Sequence, residues 1–349
     1  MRAVVLVGGE GTRLRPLTET VPKPLLPVVN RPFLHRVLDH LADHGVHEVV
    51  LSSPYLEETF HTFIEERHGD PSITWITESH PLGTGGAIVN ALPHLGTDPF
   101  FVLNGDILTD LDLTALVEFH GSHGAAATIT LTHVDDARPY GLVATEPNGR
   151  VLEFREKPTE PVPGDVNAGT YVLDPSALEG WPAGDMISIE REIYPALIDG
   201  GRAVFGFLSD SYWMDLGTPE KYLQAHVDVL QGRIHGIAAP APCVDAGARV
   251  DDGARIGPMV VVGPGASVGT GVRIDESILH AGCVVGADAV IEGSILGPGS
   301  VVGAGAHLDG CVLGQDATVP DGMRTAGERV DAGAAATGSQ RAASRADGP

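Results

Sequence analysis

Lysine is nearly missing from this 349-residue chain: the three are Lys23, Lys157 and Lys221. Basic charge is scarce overall, and the formal net charge is −24. That excludes partners that need a broad cationic face, namely nucleic acid and anionic membrane surfaces. Cysteine is sparse too, at Cys243, Cys283 and Cys311. An odd count at wide spacing gives neither a disulfide framework nor a zinc motif. The three are expected to be inert thiols in a reducing compartment, so the expected location is cytoplasmic. Long apolar runs are missing as well. Ala3–Val7 is followed by Gly8 and Gly9, too short a stretch for a secretory leader. No run reaches the ~18–20 apolar residues of a membrane span.

A hydrophobic content of 43% supports a packed protein, and the length favours two domains. Residues 1–236 alternate strand-like and helix-like segments. Arg2–Val7, Glu48–Ser52, Ile73–Thr77 and Pro99–Leu103 read as strands. Helices are expected from Pro32, over Leu56–Arg67 and over Gly86–Leu92. Later strands are placed at Thr128–Thr132, Val143–Thr145, Tyr171–Leu173 and Val204–Phe207. This is an α/β pattern built on a mixed, mainly parallel sheet, whose ligands bind at the carboxyl ends of the strands.

From about residue 237 the period changes. Val244, Val250, Ile256, Val262, Val268 and Ile274 recur every six residues. Units of seventeen follow, with columns Val268–Val285–Val302–Val319, Ile274–Ile291–Leu308 and Leu279–Leu296–Leu313. A three-sided coil with one short strand per side produces that spacing, so 237–323 is expected to be a parallel β-helix. Residues 324–349 lack the columns and are expected to be a disordered tail.

The chemistry concentrates in a few motifs. Gly8-Gly9-Glu10-Gly11-Thr12-Arg13 follows the first strand, and Lys23 lies just beyond. Backbone amides and two cations in such a turn suit a polyphosphate. No Gly-Lys-Ser/Thr follows, so this is not a P-loop. Leu14 stands where a dinucleotide fingerprint needs its third glycine. Asp106 ends an apolar strand, and Asp215 interrupts Tyr212-Trp213-Met214 and Leu216. Asp106 reads as a cap for the next element or a ligand at the strand mouth. Together the two aspartates would hold Mg²⁺, which takes oxygen donors and shares them with phosphates. Lys157, between Glu156 and Pro158, reads as a fixed cation because lysine is so rare here.

These motifs resemble those of the sugar-1-phosphate nucleotidylyltransferases, and among them the mannose-1-phosphate guanylyltransferases with a C-terminal left-handed β-helix. The matching segments are Leu6–Pro24, Pro81–Thr84, Val102–Asp106, Glu156–Pro158, Asn167–Gly169, Ser188–Glu190 and Trp213–Asp215. The resemblance implies that Leu6, Gly8, Gly9, Gly11, Thr12 and Arg13 surround the nucleotide. Arg13 would face the leaving pyrophosphate, and Lys23 the reacting phosphate. Pro81, Gly83 and Thr84 would lie against the base. Asp106 and Asp215 would carry Mg²⁺. Gly141, Glu156, Lys157 and Asn167 would line the sugar-phosphate pocket. Glu10 departs from the pattern, because a carboxylate facing triphosphate would repel it, so its side chain is expected to point to solvent.

The implied reaction condenses a sugar 1-phosphate with a nucleoside triphosphate and releases pyrophosphate. Mannose 1-phosphate and GTP are favoured, since the Val7-Gly8-Gly9 start resembles guanylyltransferases. A cyclitol phosphate such as valienol 1-phosphate, or a thymidylyl or uridylyl transfer, is an alternative. A non-catalytic regulatory homologue is a reading of a different class. A β-helix acyltransferase would need His280 or His307 at a coil interface. The β-helix is otherwise read as a surface for homo-oligomerisation.

Overall fold

The computed structural model describes residues 1–53 and 57–338. The chain forms two compact units, Met1–Gly9 with Leu34–Trp213, and Glu10–Phe33 with Met214 onward. Residue 236, the expected end of the first domain, lies within the second of these units. The glycine-rich loop from Glu10 and the helix Pro219–Leu230 group with the β-helix.

The first unit is built on a nine-stranded mixed sheet. Its order runs Val151–Glu156, Gly141–Thr145, Gly164–Leu173, Phe100–Asn104, Arg2–Leu6, Glu48–Ser53, Ser72–Thr77. Ala127–Val134 pairs with both Gly164–Leu173 and Val204–Leu208. Arg2–Leu6 is central and parallel to both neighbours, with Val4 opposite Val50 and Val102. Ala3, Val4 and Val5 have no solvent contact, and such unbroken apolar runs are what a strand covered on both faces requires. Gly164–Leu173 runs antiparallel to its neighbours. The expected strand Tyr171–Leu173 is only the last third of it. Val151–Glu156 was not anticipated at all. The helix expected from Pro32 begins at Phe33. The helix expected over Leu56–Arg67 spans Glu57–Glu66, and Leu56 lies outside the described residues.

The second unit holds three parallel sheets that together form a β-helix of the left-handed hexapeptide kind. One stacks Ile278, Ile295 and Val312 in register, another Val284 and Val301, the third Ile274, Ile291 and Leu308. All three columns expected from the sequence are buried. The coil also continues past residue 323. Arg324–Ala326 and Arg329–Val330 extend two of the sheets, and Thr318 bridges to Ala335. The expected tail therefore starts later than residue 324, and 339–349 lie outside the described residues. The last coil is closed by polar groups. Thr325 occupies the inward position of the isoleucine column and donates to Glu328 at 2.6 Å, and Glu328 also accepts from Thr337. Solenoids need such a cap to end the apolar stack in water.

None of the three cysteines is in a disulfide among the described residues. Burial pushes the Cys283 thiol up to about 11, which suits an inert core group.

Candidate active site

In the first unit the groups collect at the carboxyl ends of the central strands. Leu6 ends its strand in register with Ser52 and Asn104, and Gly8 and Gly9 follow directly. The next strand turns through Gly105, whose N–H donates to the Leu6 carbonyl at 2.9 Å. A Cβ on Gly105 would come within 2.7 Å of that oxygen. This close approach fixes Asp106 beside the strand end that leads into Gly8.

Pro81 to Thr84 form the entrance to helix Gly83–Ala91. Gly83 has φ +69°, and a Cβ there would lie 2.6 Å from the Ile187 carbonyl oxygen, so only glycine fits. Behind the loop, Glu78 accepts from the Ser52 hydroxyl at 2.8 Å and from the Leu82 N–H at 3.1 Å. The sequence reading missed Glu78. Its signal was weak, since it follows Ser72–Thr77, a strand that is half Ser and Thr, where Asp106 follows the apolar Phe100–Asn104.

The expected sugar-phosphate residues meet across neighbouring strands. Gly141 is in register with Glu156, and a Cβ on Gly141 would lie 3.0 Å from the Glu156 Oε2. The Lys157 ammonium is 3.5 Å from Glu156 Oε1, and the lysine side chain is 60% exposed. Lys157 adopts φ +49°, a left-handed conformation that strains a side-chain-bearing residue by about 1–3 kcal/mol. Its N–H donates to the Tyr140 carbonyl at 2.9 Å. Asn167 faces inward, donating to the Tyr171 hydroxyl at 2.8 Å and accepting from the Gly169 N–H at 2.9 Å. Its amide shapes the strand bend through residues 167–169.

In the second unit Gly11 has φ +62° and its carbonyl accepts from Thr18 at 2.8 Å. A Cβ on Gly11 would stand 3.3 Å from the Lys23 Cβ, which draws Thr12, Arg13 and Lys23 into one short stretch. Lys23 is only 9% exposed. Arg13 reaches the loop after Asp215: a Cβ on Gly217 would lie 3.0 Å from an Arg13 Nη and closer still to Asp215 Oδ1. Asp215 is ion-paired with Lys221. That third lysine was given no role from the sequence. Thr218 caps helix Pro219–Leu230 at its N-terminus and so sets Lys221 in the first turn. Glu10 behaves as expected: its side chain is 61% exposed and lies 3.5 Å from Arg15.

A profile of the Nucleotidyl transferase family matches residues 2–232. The chain belongs to that family. The profile of the GMPPB C-terminal domain matches residues 238–333, the span of the β-helix. The chain is 42% identical over 248 residues to the mannose-1-phosphate guanylyltransferase of Mycobacterium tuberculosis, covering 69% of this chain and 67% of that protein. It is also 42% identical over 229 residues to the mannose-1-phosphate guanyltransferase of Aspergillus fumigatus, covering 64% of this chain and 62% of that one. Among solved structures, HddC from Yersinia pseudotuberculosis matches with a TM-score of 0.57 at 32% identity, over 64% of this chain and 97% of that one. A further structure of HddC is of its complex with GMP-PN. The identification as a sugar-1-phosphate nucleotidylyltransferase, made from the motifs, agrees with this membership.

For a divalent cation the family member offers carboxylates, the hard oxygen donors that Mg²⁺ prefers. Among the described residues no group of three or more His, Cys, Asp or Glu side chains could hold a metal. Mg²⁺ commonly takes one or two protein carboxylates and shares its remaining positions with substrate phosphates. The expected pair is divided between the units, with Asp106 in the first and Asp215 in the second.

His280, a candidate acyltransferase base, is buried against Tyr222, whose ring stacks parallel to it. Burial holds its pKa down to about 3. His307 is half-buried and lies 4.0 Å from Glu292. The two histidines thus serve different parts of the β-helix, and His280 serves its packing.

Proposed function

We propose that this chain condenses a sugar 1-phosphate with a nucleoside triphosphate, mannose 1-phosphate and GTP being the favoured pair. The observation that carries the reaction type is the Gly141–Glu156–Lys157 arrangement. A strained turn presents a rare, exposed ammonium beside a carboxylate, over a strand position where only glycine leaves room. A dianionic phosphate bearing a polyol ring suits such a place: the cation meets phosphate and the carboxylate accepts from hydroxyls. The choice of mannose and guanine rests on the names of the relatives and on the HddC complex.

The attacking phosphate oxygen is already an anion, so no base is needed. The obstacle is repulsion between two anions, and catalysis is positioning with charge neutralisation. Gly8, Gly9, Gly11 and Thr12 would wrap the triphosphate with backbone amides. Arg13 would hold the departing pyrophosphate and Lys23 the reacting phosphate. Lys157 would hold the incoming phosphate, and Gly141, Glu156 and Asn167 the sugar. Leu6, Pro81, Gly83 and Thr84 would border the nucleoside. Asp106 and Asp215 would hold Mg²⁺, which when bound neutralises charge on the triphosphate.

The test is pyrophosphate release from the purified protein, with GTP, ATP, UTP and dTTP crossed against mannose, glucose and cyclitol 1-phosphates. GTP with mannose 1-phosphate should give the highest kcat/KM. A clear preference for dTTP or UTP would overturn the guanylyl assignment, and release from no pair would overturn the enzyme. We further propose a cytoplasmic protein that self-associates through the β-helix. Support for the second point is the exposure of Val284 and Val301 in successive coils of one face. A monomeric mass by light scattering would refute it.

A further inference from the structure

The segment from Asp185 to Ile193 backs the Pro81–Gly86 loop more closely than its sequence suggests. Ile187 gives its N–H to the Leu82 carbonyl at 2.9 Å, and its own carbonyl accepts from the Gly85 and Gly86 N–H groups at 2.9 and 3.1 Å. A Cβ on Gly86 would clash with the Asp185 carbonyl, and one on Gly85 would meet the Ile193 Cδ1 at 2.8 Å. The two segments are therefore in backbone contact with no room for side chains. Just beyond, residues Ile189–Ile193 form a π-helix, a rare turn that tends to mark functional positions.

Within that turn Glu190 fastens the loop. Its Oε2 accepts from the Thr84 hydroxyl at 2.6 Å and from the Ser188 hydroxyl at 2.8 Å. The Thr84 oxygen in turn accepts from the Ile189 N–H at 3.0 Å. The Ser188 hydroxyl accepts from the Arg191 N–H at 3.2 Å, and the Ser188 N–H donates to Glu192 at 2.8 Å. The Thr84 proton is thus committed to Glu190. The Thr84 side chain is thereby held by a bond to a carboxylate, the stronger kind of hydrogen bond.

We infer that Glu190 is a positioning residue for the nucleotide: through Thr84 it locks the Pro81–Gly86 loop in the shape that receives the base. The inference rests on the reading above that this loop meets the nucleoside. The hydrogen bonds of the clamp run to Thr84 and within its own turn, and its one reach toward the sugar side is the Glu190 charge felt by Tyr171, which bonds Asn167, so its loss should act mainly on one substrate. Pre-setting a loop raises affinity by removing the ordering cost at binding.

The experiment measures KM and kcat for both substrates in full-length Glu190→Ala, Glu190→Gln, Thr84→Val and Thr84→Ser, with calorimetry of a non-hydrolysable GTP analogue. Glu190→Ala and Thr84→Val should each weaken nucleotide binding by roughly tenfold or more, with the sugar-phosphate KM within about twofold. Thr84→Ser should restore near-wild-type values. The double variant should be no worse than either single one, because both break the same bond. Glu190→Gln keeps the volume and should show a smaller loss, so the inference is testable even where the alanine variant folds poorly. Equal rises in both KM values, an unchanged nucleotide affinity, or multiplying losses in the double variant would overturn it. A wild-type protein that binds the analogue but releases no pyrophosphate would defeat the proposed reaction while leaving the clamp measurable. Wild-type protein that binds no nucleotide would defeat both.

Discussion

Lys221 closes an ion pair on Asp215, six residues before it, from the first turn of a helix that Thr218 caps. One oxygen of this buried carboxylate is thereby tied down, while the other faces the Gly217 and Arg13 side. A carboxylate held this way keeps its direction, which suits the metal-holding role proposed for it. Asp215→Ala and Asp106→Ala should each lower turnover by about 10²–10³, the scale for one transition-state electrostatic contact. Pyrophosphate release at saturating Mg²⁺ checks this, and near-wild-type turnover in Asp215→Ala would remove the metal role.

The role proposed for Lys157 divides the two substrates. Its ammonium lies beside Glu156 on an exposed turn, so it suits the incoming phosphate. A charged hydrogen bond contributes about 1.5–3 kcal/mol, or roughly ten- to hundredfold in affinity. Lys157→Ala should raise the KM for sugar phosphate by that factor and leave the nucleotide KM within about twofold. Parallel rises would count against the assignment.

Gly83 is a sharper structural test. With φ +69° and the Ile187 carbonyl 2.6 Å from any added Cβ, Gly83→Ala is strained in two ways. It should destabilise the fold by about 1–3 kcal/mol, read as a lower urea midpoint at unchanged slope. A loss below about 0.5 kcal/mol would show that the loop yields easily.

What the sequence made legible follows from how local each signal is. The β-helix columns repeat within seventeen residues, so Val268, Val285, Val302 and Val319 announce themselves without tertiary information. Val151–Glu156 stayed hidden because Leu152 is 55% exposed and breaks the alternation. Most of Gly164–Leu173 was hidden too, since Gly164, Asp165, Asn167 and Gly169 are turn-forming types. They are needed there because the strand bends through 167–169. The end of the β-helix was misplaced because Thr325 replaces the apolar column residue, and its burial is tolerable only through Glu328. Lys221 and Glu190 could not be assigned from spacing, since their meaning lies in the partners Asp215 and Thr84. The Gly8–Arg13, Asn104–Asp106 and Glu156-Lys157 motifs could be singled out because each is a contiguous stretch.

The polar closure of the last coil makes truncation informative. A chain ending at Met323 loses Val330 and Ala336 from the core and strips the cover from Val319 and Leu313. Burying one valine contributes about 1.5–3 kcal/mol, so this truncation should lower Tm by several degrees. Differential scanning calorimetry decides it. An unchanged Tm would mean that residues 324–338 add nothing to the coil.

His280 predicts the acid limit of the second unit. It is fully buried against Tyr222, with His226 nearby, and desolvation and then His226 hold its pKa down to about 3. In the unfolded chain the same group titrates near 6.5. Between those values the unfolded state binds the extra proton, so stability rises with pH there and falls as the solution is acidified. From pH 7 to pH 5 this one group should withdraw about 2 kcal/mol. Urea denaturation at the two pH values measures the total, and His280→Leu isolates the share. The variant starts less stable, because Tyr222 loses a neighbour, but its loss on acidification should be smaller than that of the native chain by about 2 kcal/mol. An identical pH slope in both proteins would show that His280 is not the group that titrates.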